Sequence, residues 1–344
     1  MKHLKIAVLP GDGIGVDVTA AAVEVLNALG LSIAFEEFSI GAGEYLKNGD
    51  PLPEAVMSRL PAFDAIFLGA AGLPGVRWPS GTEIAPQLDL RERFDLYCGL
   101  RPVYLFHPDD SPLREKPAGS IDILLVREST EGLFSGRHDR NNVTADRAED
   151  RLVITKRGAE RVIRAAFRQA MARRKHLTLV DKANVLPSMA FFRGVFDRIA
   201  EEFPEVETQG IYVDAAALYL VQRPESFDVL VTENMFGDIL SDLLAGIVGG
   251  MGMAPSADIG DKSAVFQPSH GSAPDIAGMG IANPVAAILS AAMMLEWLGE
   301  PTGADRIRAA VRAVFSDRRA RTRDLGGDLT TSAMTACIIA ALPG

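Results

Sequence analysis

KIAVLPGDGIGVDVTAAAVEVLNALGLSIAFEEF, residues Lys5 to Phe38, sets the fold class. KIAVL is a short apolar run of strand type, Gly15 to Leu29 carries apolar residues at helical spacing, and SIAFEEF is extended again. A strand, a helix and a second strand in succession form the crossover unit from which α/β folds are built. The alternation continues with a helix after Pro53, the strand AIFLG, a helix over Ile84 to Phe94, and the extended runs RPVYLF and IDILLV. A polar stretch, Arg137 to Arg151, precedes a helix over Thr155 to Arg174, whose apolar stripe is Ala159, Val162, Ile163, Ala166, Phe167, Ala170 and Met171. LTLVD, TQGIYV and FDVLV read as strands that each lead into a helix. Helices from Asn283, Ala304 and Thr330 close the chain without clear strands between them, so they are expected to pack back on the first sheet. The domains expected are therefore 1–98 plus 251–344, and 99–250, with an arm near 137–153.

The 344 residues are 48% hydrophobic, enough for a large buried core. A formal net charge of −10 disfavours an extended basic face for nucleic acid or anionic lipid and leaves room for a small basic pocket that takes a compact anion. Cys98 and Cys337 are the only cysteines, too few for a disulfide framework, which points to a reducing, cytoplasmic setting. MKHLKIAVLPG reads as a first strand and not as a signal peptide. The longest apolar stretch, Pro284 to Leu295, falls short of the roughly 20 residues that span a bilayer.

TENMFGDILSDLLAGIVGG, Thr232 to Gly250, places Asp238 and Asp242 four residues apart at the start of an apolar helix, hence on one face and one turn apart. Like charges this close repel unless a cation sits between them, and Asp214 in YVDAAAL is a third candidate ligand. An all-oxygen set suits Mg2+ or Mn2+, and the lack of a Cys or His cluster argues against zinc. The competing reading is a solvated helix N-terminus whose acidic residues favour the macrodipole.

Arg91 on a helix, Arg101 at the start of RPVYLF and Arg127 at the end of IDILLV would, if they faced one cleft, recognise a di- or tricarboxylate through their guanidinium forks. Singly, each reads as a surface charge. Lys182 follows the strand LTLVD; partial burial and a nearby cation would fit it for proton transfer, and otherwise it is a strand-end lysine in solvent. The loop Pro10 to Gly15 carries only part of a dinucleotide-binding glycine pattern, and a tight strand-to-helix turn explains it equally well. FQPSHGSAPDIAG, Phe266 to Gly278, reads as a functional loop with His270 and Asp275 and too few apolar residues to be core. Asp275 suits a ribose diol and would repel a 2'-phosphate, which favours NAD over NADP.

Together, LPGDGIG, LRERFDLYCGLRPV, VRESTEGLFSG, VDKANVLP, VDAAAL, TENMFGDILSDL and HGSAPDIAGMGIANP resemble, in order and over nearly the whole chain, the β-decarboxylating dehydrogenases of the isocitrate and isopropylmalate group. The resemblance implies an isopropylmalate dehydrogenase-like α/β fold of two domains, the first discontinuous, distinct from the dinucleotide-binding Rossmann fold. It implies that Arg91, Arg101 and Arg127 clamp the substrate carboxylates and that Asp214, Asp238 and Asp242 hold Mg2+ or Mn2+. Lys182 would be the base-side residue, and Lys182 and Asp214 would act across the interface of a homodimer. Ile14, His270, Gly271, Ser272, Ala273, Asp275 and Asn283 would contact NAD, and Gln87 and Leu88 the group on C3 of the substrate. The implied reaction is oxidation of the 2-hydroxyl of a 3-substituted malate with loss of the β-carboxylate. Isopropylmalate comes first among the expected substrates, then tartrate or malate, then isocitrate.

The chain also departs from its relatives. Phe134 in TEGLFSG stands where they carry a tyrosine whose hydroxyl protonates the enol, so either that proton is expected from water or from a group such as His138, or decarboxylation is slow and oxidation dominates. Gln267, Ser269 and Met279 replace Glu, Val and Lys at the nicotinamide end. TEIAPQLDLR matches neither the isocitrate nor the isopropylmalate pattern; Gln87 suggests a smaller or more polar C3 group, while Leu88 keeps some apolar surface. Two competing classes stay open on sequence: a metal-dependent hydrolase or phosphate-transfer enzyme built on the aspartates, and a carboxylate-binding relative without turnover.

Overall fold

The computed structural model describes residues 3–138 and 143–343. Its strands are β1 (Leu4–Gly11), β2 (Ile33–Glu37), β3 (Ala65–Ala70), β4 (Cys98–Tyr104), β5 (Asp122–Glu128), β6 (His176–Asp181), β7 (Glu207–Tyr212), β8 (Val229–Thr232), β9 (Pro255–Ile259) and β10 (Ala264–Pro268). The helices are α1 (Gly15–Ala28), α2 (Ala42–Asn48), α3 (Glu54–Met57), α4 (Pro86–Arg93), α5 (Lys156–Met171), α6 (Pro187–Ala200), α7 (Val213–Gln222), α8 (Asn234–Gly246), α9 (Val285–Trp297), α10 (Pro301–Phe315) and α11 (Thr331–Ala340).

All ten strands join one mixed sheet in the order β2, β1, β3, β10, β9, β4, β5, β8, β6, β7. Two parallel wings, β2 to β10 and β5 to β7, arise from strand-helix-strand units as the alternation predicts. They meet through antiparallel pairs: β9 with β10, β4 with β9, and β4 with β5. β3 is buried at every position, as a central parallel strand covered on both faces must be.

The closing helices α9, α10 and α11 pack with α1 over the first wing, where they were expected. α5 buries Ala159, Val162, Ile163, Ala166, Phe167 and Ala170 against the second wing, six of the seven positions in the periodic stripe. The reading of Phe266 to Gly278 as a loop outside the core needs correcting. Val265 and Phe266 belong to β10, which pairs with β3 and β9, and Phe266 is fully buried. A five-residue strand ending in Gln-Pro is too short to show alternation against Gly/Pro-rich surroundings. No helix among the described residues is long and apolar enough to cross a membrane.

Candidate active site

The antiparallel centre of the sheet gathers the three arginines. Register sets Gly99 of β4 opposite Arg127 of β5 and opposite Asp258 of β9, with Arg101 two residues along on the same face. Gly99 leaves the space this cluster needs: a Cβ there would lie 2.5 Å from Ser129 Oγ and 3.1 Å from Asp258 Oδ1. Asp258 accepts from Arg91 Nε at 3.0 Å, Arg101 Nη2 at 3.0 Å and Gln267 Nε2 at 3.2 Å. Burial pushes the Asp258 carboxyl up, but the charges and bonds of Arg101 and Arg91 outweigh it and hold it down at about 2. Arg101 also donates through Nη1 to the carbonyls of Leu100 and Ala257, both at 3.0 Å. One buried carboxylate thus fixes two buried guanidiniums, while Arg91 Nη1 and Nη2 have no partner among the described residues. Sequence reasoning missed Asp258, although Ser256 and Asp258 alternate with Ala257 and Ile259 in the pattern of a strand with one polar face.

Arg127 is held from α8. Its Nε and Nη2 donate to Asn234 Oδ1 at 3.0 and 2.7 Å, and its Nη1 bonds Asp238. Gly237 makes room for the arginine stem, since a Cβ would meet Arg127 Cγ at 2.5 Å. Burial, then the charge of Arg91, lowers the Arg127 pKa to about 10 in spite of Asp238. Glu233 begins α8 by accepting from Phe236 N, a cap of the kind that favours helix initiation.

A cavity of about 940 Å³ opens over this cluster and is lined by Arg91, Arg101, Arg127, Asp238, Asp242 and residues 267–271, the end of β10 and the start of the loop after it. Asp238 and Asp242 therefore share one cleft with the three arginines. Burial, then the charge of Asp238, raises the Asp242 pKa, the electrostatic mark of a carboxylate pair that a cation would relieve. Gln87, Leu88 and Phe134 line the same cavity. The guanidinium of Arg127 lies over the Phe134 ring, 5.4 Å from its centroid, so the ring packs against charge where it offers no proton. Arg137, unremarked in the sequence, bridges Asp89 and Glu92 at the cavity wall. Those two carboxylates and His138 are the one group of three potential metal-ligand side chains found close together among the described residues, and Arg137 already pairs with both carboxylates.

Two of the seven expected cofactor residues, His270 and Gly271, reach the cavity lining. Burial lowers the His270 pKa, and its Nε2 has no partner among the described residues. Ile14 N donates to Ser272 O at 2.8 Å, fastening the first loop to the 270–278 loop, while Ala273 and Asp275 lie farther along the latter. Asp12 in the first loop accepts from the N–H groups of Ala42, Gly43 and Gly72, so that loop stitches backbone together. Asn283 is buried, its Nδ2 donating to Asp324 and its Oδ1 accepting from Val285 N.

Lys182 and Asp214 are absent from the cavity lining. They pair with each other at 2.7 Å, and that bond lowers the pKa of the exposed Asp214. Asp214 shares a face of α7 with Leu218 and Val221, 52% and 43% exposed. Asp238 and Asp242 share a face of α8 with Met235 and Ile239, 36% and 58% exposed.

A profile of the isocitrate/isopropylmalate dehydrogenases matches residues 5–338. The chain belongs to the isocitrate/isopropylmalate dehydrogenase family. Among its relatives, a 3-isopropylmalate dehydrogenase of Corynebacterium aurimucosum is 44% identical over 342 residues, covering 97% of this chain and all of the relative. An isocitrate/homoisocitrate dehydrogenase of Thermus thermophilus is 46% identical over 340 residues, 98% of each chain. The crystal structure of an isocitrate dehydrogenase from Methylococcus capsulatus superposes with a TM-score of 0.91 at 41% identity, covering 99% of both chains. Relatives so alike to this member of the family carry names for different substrates, so family membership fixes the type of enzyme and leaves the C3 group to the cavity wall.

Proposed function

We propose that this dehydrogenase oxidises and decarboxylates a 3-substituted malate, 3-isopropylmalate first, with NAD and Mg2+ or Mn2+. The observation that carries the reading is the cavity in which three buried arginines face two aspartates one helical turn apart. Arg91, Arg101 and Arg127 would take the substrate carboxylates in a site too buried for water to screen them. Asp238 and Asp242 fit a hard cation: an all-oxygen pair, with Asp242 raised in pKa by burial and by its neighbour's charge. When bound, that cation would acidify the 2-hydroxyl and stabilise negative charge on its oxygen.

Two further elements complete the site in a homodimer. The exposed apolar faces of α7 and α8 would bury each other's counterparts, bringing the partner's Lys182 and the partner's Asp214 to the cavity. The partner's Lys182 would take the hydroxyl proton, and the partner's Asp214 would complete the cation's ligands. His270, kept neutral by burial, and the loop through Gly271, Ser272, Ala273 and Asp275, with Ile14 and Asn283 behind it, would hold NAD. Protonation of the enol falls to water or to His138, whose Nε2 lies 3.7 Å from Asp89 at the cavity mouth. The domains in this reading are 1–98 with 251–344, and 99–250; the setting is the cytoplasm.

A second reading for the substrate, a polar C3 group as in tartrate or malate, is favoured by Gln87, which lines the cavity and whose buried Oε1 has no partner among the described residues. Following NADH absorbance with isopropylmalate, tartrate, malate and isocitrate, with and without Mn2+, tests both. NADH formation that ignores a chelator would overturn the cation's role, and turnover without dinucleotide would overturn the reaction class.

A further inference from the structure

We infer that the sheet carries a second ligand site on the face opposite the arginines, for a flat aromatic ring bearing one negative charge, and that its occupant acts on Arg101. Side chains alternate along β4, β5 and β9, so Arg101 and Arg127 face the active cavity, with Asp258 beneath them on the same side of the sheet, while Leu100, Leu124 and Ala257 face a separate groove of about 540 Å³. Two aromatic pairs line this groove: Tyr104 with Phe106, centroids 4.9 Å apart, and Phe266 with Trp297 at 6.0 Å. Met253 and Met293 add soft, adaptable surface. Aromatic and thioether walls of this kind hold rings by stacking and edge contacts.

The rim selects charge. Arg173 is engaged by Asp122 and Asp228, and Arg308 by Glu296 and Asp305. Arg312 lies over the Tyr104 ring at 5.3 Å and has no carboxylate partner among the described residues. One cation on an aromatic wall, beside two arginines already paired with carboxylates, suits one anionic group. Coupling to the active cavity runs through the backbone. The carbonyls of Leu100 and Ala257, two residues of the groove wall, hold Arg101 Nη1, and their register pair adjoins that of Gly99 with Asp258. A ring wedged against Leu100 and Ala257 would displace the guanidinium and its counter-charge together, since close-packed strands transmit such shifts.

Anilinonaphthalene sulfonate, a flat aromatic monoanion, is the probe. In full-length protein carrying Trp78→Phe, Trp297 is the sole tryptophan, and energy transfer from it reports occupancy. The expected result is saturable transfer that excess NAD does not displace and that weakens about tenfold in Arg312→Glu and again in Ala172→Phe, which fills the groove and adds no second tryptophan. Displacement by NAD, or binding unchanged by both variants, would overturn the site. A change in sedimentation caused by Arg312→Glu would do so as well, by showing that a second copy of the chain covers the groove. The coupling arm rests on the function proposed above: the probe shifts the Kd of the hydroxy diacid, and the diacid shifts the probe's Kd by the same factor. No shift in either direction would overturn the action on Arg101, whereas the binding arm needs no turnover and is readable whatever the substrate.

Discussion

The antiparallel centre of the sheet and the exposed faces of α7 and α8 both carry charged residues of the candidate site, in opposite states of completion. At the centre, Arg91, Arg101 and Asp258 are buried and mutually bonded within one chain. On the helices, Asp214, Asp238, Asp242 and the Lys182 pair stand beside exposed apolar side chains. The difference follows from solvation. A buried charge must find its counter-charge as the chain folds, whereas an exposed aspartate is stable in water and is free to be finished later by a cation or a second protomer.

The largest expected effect tests that contrast directly. Asp258→Ala leaves two buried guanidiniums without their carboxylate and is expected to destabilise the fold by about 3–5 kcal/mol, seen as a fall in the urea midpoint. Asp242→Asn is expected to change stability by about 0.5 kcal/mol or less. Equal costs for the two would erase the distinction. Next comes Lys182→Ala, whose ion pair is partly exposed: stability should change by about 1 kcal/mol at most, while turnover falls about 10²–10⁴-fold. Refolding Lys182→Ala together with Asp242→Asn should restore activity through heterodimers that hold one intact site, and the absence of any recovery would place the lysine outside a shared site.

Acid sharpens the comparison. Asp258 has a folded pKa held at about 2 against an ordinary 3.8, so its contribution is present above pH 4 and is lost as pH falls through about 2. That contribution is about 2 kcal/mol, and urea midpoints measured from pH 5 downward should fall in this window more steeply in the native chain than in Asp258→Asn. The smallest effect concerns specificity: Gln87→Leu is expected to shift the ratio of kcat/KM for isopropylmalate over tartrate upward about tenfold. An unchanged ratio would remove Gln87 from the recognition of the C3 group.

Much of the fold was legible because it is local. The α5 stripe, the apolar strands and the helix through Asp238 and Asp242 are set by side-chain period over a dozen residues. β10 was not legible, since five residues running into Gln-Pro show no alternation, and β9 passed unread because its polar alternation at Ser256 and Asp258 is only two residues long; with them went Asp258 and the burial of Phe266. Arg137 escaped notice because a surface-type arginine in a polar run has no local signature, and its partners Asp89 and Glu92 lie more than forty residues away.

The sequence by itself determined an α/β chain, its helices and most strands, and the motif set that marks its family, because those depend on neighbours along the backbone. Tertiary structure alone decided that one sheet would join both wings, that Asp258 would bind two arginines distant in sequence, and that Asp238 and Asp242 would share their cavity. Those outcomes rest on register between strands far apart in the chain, where burial forces charges to pair and where spacing along the sequence carries no information about who the partner is.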